Sequence, residues 1–90
     1  MPQVRFTNHL RRFFPDLQEV EVAGVTVAEV LAGLEDRYPG LAAYIVDEHG
    51  ALRQHVNIFV GNSLIRDREH LQDATAPGDR IFIFQALSGG

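Results

Sequence analysis

Apolar and polar positions alternate at the start of the chain. Val4-Arg5-Phe6-Thr7 puts Val4 and Phe6 on one side of a first strand, and Glu19-Val20-Glu21-Val22 repeats the pattern with Val20 and Val22 inward. The stretch between them, Asn8 to Leu17, is less regular. Its Arg11-Arg12-Phe13-Phe14-Pro15-Asp16 part reads as an ordered loop, which makes the two strands a hairpin with an irregular turn. The period then changes from two to 3.6. Val27, Val30, Leu31, Leu34 and Tyr38 form one apolar stripe, and Thr26 with Glu29 has the spacing of a capping box. Pro39-Gly40 stops this helix. Gly33 inside it weakens it by about 1 kcal/mol relative to Ala. It either permits close packing or is simply tolerated.

Leu41 to Ile45 reads as one further helical turn, and Val46 to Ala51 as an exposed polar loop. Val56-Asn57-Ile58-Phe59-Val60 reads as a central strand, Gly61-Asn62 as a turn, and Ser63-Leu64-Ile65 as a short edge strand. Arg66 to Asp73 is charged, with Leu71 as its apolar anchor. Pro77-Gly78-Asp79 is a tight turn before the last strand, Arg80-Ile81-Phe82-Ile83-Phe84, which is apolar on both faces. One main helix on one face of a mixed four- to five-stranded sheet is an α+β architecture. We expect one domain over residues 1–86 and a short tail over 87–90.

Composition narrows the functions. Ninety residues allow one core, so a carrier, adaptor or binding module is expected before a stand-alone enzyme. The formal net charge of -4 argues against a phosphate-backbone reader and suits a soluble protein with a basic partner. The absence of Cys excludes disulfides, thiolate catalysis and thiolate metal sites. All 8 basic residues are Arg, so no side chain can form a Schiff base or accept an isopeptide bond. With no apolar run of membrane length and no signal-like start, the cytoplasm is the expected location.

Two places carry candidate chemistry. The first is the end, Leu87-Ser88-Gly89-Gly90. Glycine lacks a Cβ, so such a segment fits a narrow channel with its carboxylate leading. The reactive group is then the α-carboxylate of Gly90, open to ATP-dependent adenylation and to attack by a sulfur or amine nucleophile. The plain alternative is an inert chain end. The second is the outward side of the last strand. With Ile81 and Ile83 inward, Phe82 and Phe84 face out, joined by Phe59 if the strands pair. Either this is a partner-binding patch, or the Arg11–Phe14 loop folds over it. The four His residues lack converging ligands for a metal, and none is expected. Ser63 and Ser88 lack a base and an orienting acid. Asp67, Glu69, Asp73 and Asp79, mixed with Arg66, Arg68 and Arg80, read as a solvated face.

The strand pair, the helix ending in Tyr38-Pro39-Gly40, the Val56–Val60 strand, Pro77-Gly78-Asp79 and the final Gly89-Gly90 occur in this order over essentially the whole chain. In that arrangement the sequence resembles the ThiS/MoaD family of ubiquitin-like sulfur carriers. It looks most like the longer, CysO-like members, whose insertion corresponds to about residues 41–54. The resemblance implies a β-grasp fold and no intrinsic cofactor. It implies a co-substrate rather than an enzyme: an E1-like partner uses ATP to adenylate Gly90, and the resulting thiocarboxylate gives sulfur to an acceptor enzyme. Gly89 would permit threading, Leu87 and Ser88 would sit in the channel, and Phe59, Phe82 and Phe84 would help dock the partner. Many relatives carry proline before the tail, where this chain has Gln85-Ala86, which argues against the molybdopterin branch. Cysteine biosynthesis or a related route is favoured. A protein modifier joined through Gly90 and an inert β-grasp interaction domain are the competing readings. A monomer is expected for the free protein, without nucleic-acid or membrane partners.

Overall fold

The computed structural model describes residues 1–85. Its elements are β1 (Gln3–Phe6), α1 (Asn8–Arg11), β2 (Val20–Glu21), α2 (Val27–Arg37), α3 (Ala42–Ile45), β3 (Val56–Val60), β4 (Ser63–Leu64) and β5 (Arg80–Gln85). The five strands form one sheet in the order β2-β1-β5-β3-β4. β1 runs parallel to β5, and the β1–β2, β3–β5 and β3–β4 pairs are antiparallel. With α2 across one face this is the β-grasp arrangement. β5, rather than β3, is the middle strand.

The core follows the alternation. Val4, Val56, Ile58, Ile81 and Ile83 are all at most 1% exposed and meet Val27, Val30, Leu31 and Leu34 of α2. Fully burying a side chain of this kind contributes roughly 1.5–3 kcal/mol, so these residues carry much of the fold. Val22 is buried as the pattern requires, while Val20 is half-buried against the core.

The start of α2 is tied down by more than its own sequence. Thr26 Oγ1 accepts from the Glu29 N–H at 3.2 Å. Glu29 Oε1 accepts from the N–H of Val25 at 3.4 Å, one residue before the cap. The N–H groups of Val27 and Ala28 donate to the carbonyls of Asp73 and Leu71 at 3.0 and 2.8 Å. A distant loop thus satisfies helix donors that the cap leaves over. Leu71 holds a left-handed backbone (φ 57°) to do this, and its buried side chain anchors the loop as expected. Gly33 lies so close to the chain just after β2 that an added Cβ would sit 2.5 Å from Val22 Cγ1, so the helical glycine is there for close packing.

Two expectations need correction. Asn8–Arg11, expected only to be irregular and to enter the loop at Arg11, is one helical turn with Leu10 buried beneath it. Asp67, Asp73 and Asp79 are also not a mere solvated face. Asp67 accepts backbone N–H groups of Glu69, His70 and Gln72, Asp73 accepts those of Arg66 and Asp67, and Asp79 accepts that of Ala76. Short polar side chains here replace the backbone partners that a segment without regular structure lacks.

Candidate docking face and tail root

The strand register puts one residue row across the outer face of the sheet. Arg5 pairs with Phe82, Phe82 with Phe59, and Phe59 with Leu64. In the next row Phe84 stands opposite Asn57. Side chains directly opposite each other share a face, so Phe59, Leu64, Phe82 and Phe84 form one apolar surface. The Phe82 and Phe84 ring centroids are 6.1 Å apart. Phe84 is 37% exposed and Leu64 52%, while Phe59 and Phe82 are half-buried. Arg5 and Arg80 border an open depression of about 400 Å³ beside Phe59 and Phe82. Arg5 pairs weakly with Glu19 at 4.0 Å, and both side chains are exposed.

The structure decides what becomes of the Arg11–Phe14 segment. Phe14 packs against the core, and Phe13 stacks on Tyr44 of α3. Neither aromatic ring goes to the outer sheet face, so Phe84 remains open there. Leu64 was not singled out from the sequence. The signal was its place in a strand directly after a two-residue turn, which sets it opposite Phe59.

At the end of β5, an open-sided cavity of about 430 Å³ is lined by Thr7, Asn8, His9, Arg12, Phe84 and Gln85. The Thr7 N–H donates to the Ile83 carbonyl at 3.3 Å, which fixes the start of α1 beside this strand end. The Gln85 side-chain oxygen is buried with no hydrogen-bond partner among the described residues. This is the root of the segment 86–90. Leu87, Ser88, Gly89 and Gly90 themselves lie outside the described residues.

Elsewhere carboxylates and guanidinium groups organise loops. Glu35 accepts from the N–H groups of Gly40 and Ala42, at 2.7 and 2.9 Å, and these bonds hold its carboxyl below the ordinary 4.5. Asp47 and Asp67 are lowered from 3.8, chiefly by backbone N–H donors at His49 and His70 respectively. The Arg68 guanidinium donates to Asn57 Oδ1 and to the carbonyls of Arg53 and Val56, at 2.8–3.0 Å, which pins the entry to β3. Among the described residues, no group of three or more His, Asp or Glu side chains converges to hold a metal ion. Among them, too, no helix is long and apolar enough to cross a membrane.

Comparison with known proteins covers nearly all of the chain. A model of the ThiS family matches residues 4–90. The sulfur carrier protein CysO of Mycobacterium tuberculosis is 33% identical over 75 residues, which span 81% of this chain and 81% of that protein. Small archaeal modifier protein 1 of Haloferax volcanii is 31% identical over 88 residues, 88% of this chain and 97% of that one. A chain of the crystal structure of the Amycolatopsis orientalis BexX/CysO complex superposes with a TM-score of 0.86 at 29% identity, with all of both chains covered.

Proposed function

The chain belongs to the ThiS family, and from that premise we propose that it carries sulfur on the carboxylate of Gly90. An E1-like partner joins that carboxylate to AMP, releasing pyrophosphate from ATP. A sulfide nucleophile then displaces AMP and leaves a thiocarboxylate. The sulfur passes to an acceptor enzyme in the biosynthesis of cysteine or a related compound, and hydrolysis restores the carboxylate. The protein is the co-substrate in this sequence, not the catalyst. Residues 87–90 act as the tail, with Gly89 lacking the Cβ that would block a narrow channel and with Leu87 and Ser88 inside it. Phe59, Phe82 and Phe84 meet the partner, as aromatic groups at interface centres do.

The observation that carries this reading is the match over residues 4–90 together with the relative named a sulfur carrier at 33% identity. The open aromatic face beside the root of the tail supports it. The deciding experiment is an intact mass after incubation with the cognate adenylating enzyme, ATP and sulfide. Exchange of one oxygen for sulfur, absent when Gly90 is deleted, is expected. No exchange, with no adenylate detected, would refute it.

A second reading has its own support. The likeness to a small archaeal modifier protein over 97% of that protein favours attachment of Gly90 to amines on targets. Higher-mass adducts in cells that vanish when Gly90 is deleted would establish that reaction. The chain has no Lys, so side-chain-linked polymers of it are excluded.

A further inference from the structure

Phe13 and Tyr44 lie 31 positions apart in the chain, yet their rings stack with centroids 4.8 Å apart and planes inclined by 23°. Both face water: Phe13 is 50% exposed and Tyr44 37%. Phe14 meets Tyr44 edge-on and His9 meets Phe13 edge-on. The result is an ordered aromatic plate at the surface, the kind of patch that marks a contact site.

Positive charge borders the plate. Arg11 and Arg12 are exposed, and neither is in an ion pair among the described residues. Among the described residues Arg11 donates only to Asn8 Oδ1, at 3.4 Å. Arg53 donates to the Ala43 carbonyl at 2.9 Å, beside Tyr44. Asp47 lies near enough to Arg53 to offset its charge, so the positive charge at the plate is that of Arg11 and Arg12, opposite in sign to the chain's net charge of -4. The plate is also continuous with the root of the tail. His9 touches Phe13 and, with Arg12 and Phe84, lines the cavity where β5 ends.

We propose that Phe13, Tyr44 and the Arg11–Arg12 pair form a second contact for the adenylating partner, which meets them with an acidic patch beside the mouth of its tail channel. This rests on the function proposed above and extends its docking surface. Reach supplies the argument. Five residues, 86–90, span at most about 18 Å when extended. A catalytic centre within that distance of Gln85 brings the partner's surface against the chain around the end of β5. The outer sheet face lies on one side of that end. His9 and Arg12 line the cavity at that end together with Phe84, and the plate adjoins them through His9 and adds charge for the partner to complement. Complementary charge acts chiefly on encounter and register.

The test is charging kinetics of the full chain with the cognate adenylating enzyme, ATP and sulfide, at several salt concentrations. The Arg11→Glu/Arg12→Glu double variant is expected to raise KM for the carrier by about tenfold, with kcat changed by less than about twofold. Its kcat/KM should depend less steeply on salt than that of the parent. Phe13→Ser should raise KM as well, as should Phe84→Ser on the sheet face, whereas Arg66→Glu should leave it unchanged. Matching thermal midpoints exclude misfolding. If the double variant and Phe13→Ser keep the parental KM and salt dependence while the parent is charged, the second contact is refuted and the carrier function stands. If the parent itself is never charged, the function fails and takes this contact with it.

Discussion

Gly33 sets two effects of known size against each other. Replacing it with Ala inside α2 should stabilise the helix by about 0.8–1 kcal/mol through propensity alone. The added Cβ, however, would stand 2.5 Å from Val22 Cγ1. Val22 is β-branched and only 4% exposed, so its methyl group has little room to yield. Overpacking of this kind costs about 1–3 kcal/mol. The net is a loss of about 0–2 kcal/mol for Gly33→Ala. In a domain of this size each kcal/mol lowers the thermal midpoint by roughly 4–8 °C. The discriminating step is to repeat the substitution in a Val22→Ala background. Removing Cγ1 creates space, so Gly33→Ala should then stabilise. The coupling energy from the four proteins, read from urea midpoints at constant m, should be about 1–3 kcal/mol. Stabilisation by Gly33→Ala in the parent, or a coupling near zero, would refute the close approach of α2 to the chain just after β2.

Acid should unfold the protein through its loop carboxylates. Glu35, Asp47 and Asp67 have folded-state values below the ordinary 4.5, 3.8 and 3.8. A lowered carboxylate stabilises the fold above its unfolded-state value and loses that contribution as pH falls through the folded one. Denaturant midpoints should therefore be flat at neutral pH and fall below about pH 4, and Asp67→Asn should flatten that limb. An acid limb as steep in Asp67→Asn as in the parent would count against its role. At Arg68, Lys keeps the charge but cannot bridge Asn57, Arg53 and Val56 together, so Arg68→Lys should cost about 1–3 kcal/mol by urea denaturation. Parental stability in that variant would show that the three bonds contribute nothing net.

What the sequence made legible was what repeats along the chain. The stripe from Val27 to Leu34 and the alternation in β1 and β5 each report burial through a period, and the burial follows them. Phe59 opposite Phe82 was legible because two strands of known facing can pair in few ways. A single turn such as Asn8–Arg11 has no period to read, since Leu10 is its only buried position. The stacking of Phe13 on Tyr44 depends on where α3 settles after α2, a long-range outcome without local signature. The role of Asp67 was within reach, whereas Asp73 accepts from N–H groups six and seven residues before it and carries no such local signal. An Asp followed by N–H groups two and three residues on is a local turn device, but its charge drew the reading towards solvent.

The sheet's edges bear on how a partner can bind. An exposed edge strand offers unpaired backbone groups, which another chain can extend by adding a strand. Here both edges, β2 and β4, are two residues long. So short an edge supplies too few backbone groups for a register of added strand. Recognition then falls to side chains on the faces. The inner face is covered by α2, which leaves the row through Arg5, Phe82, Phe59 and Leu64. That row crosses β5, the strand bonded on both sides and leading into the tail. Local opening of a central strand takes nearly the whole unfolding free energy, so β5 is a rigid root. A partner gripping Phe82 and Phe84 therefore holds the base of the tail at a fixed place. Under the function proposed above, this would tie docking to presentation of Gly90 without any conformational change in the domain.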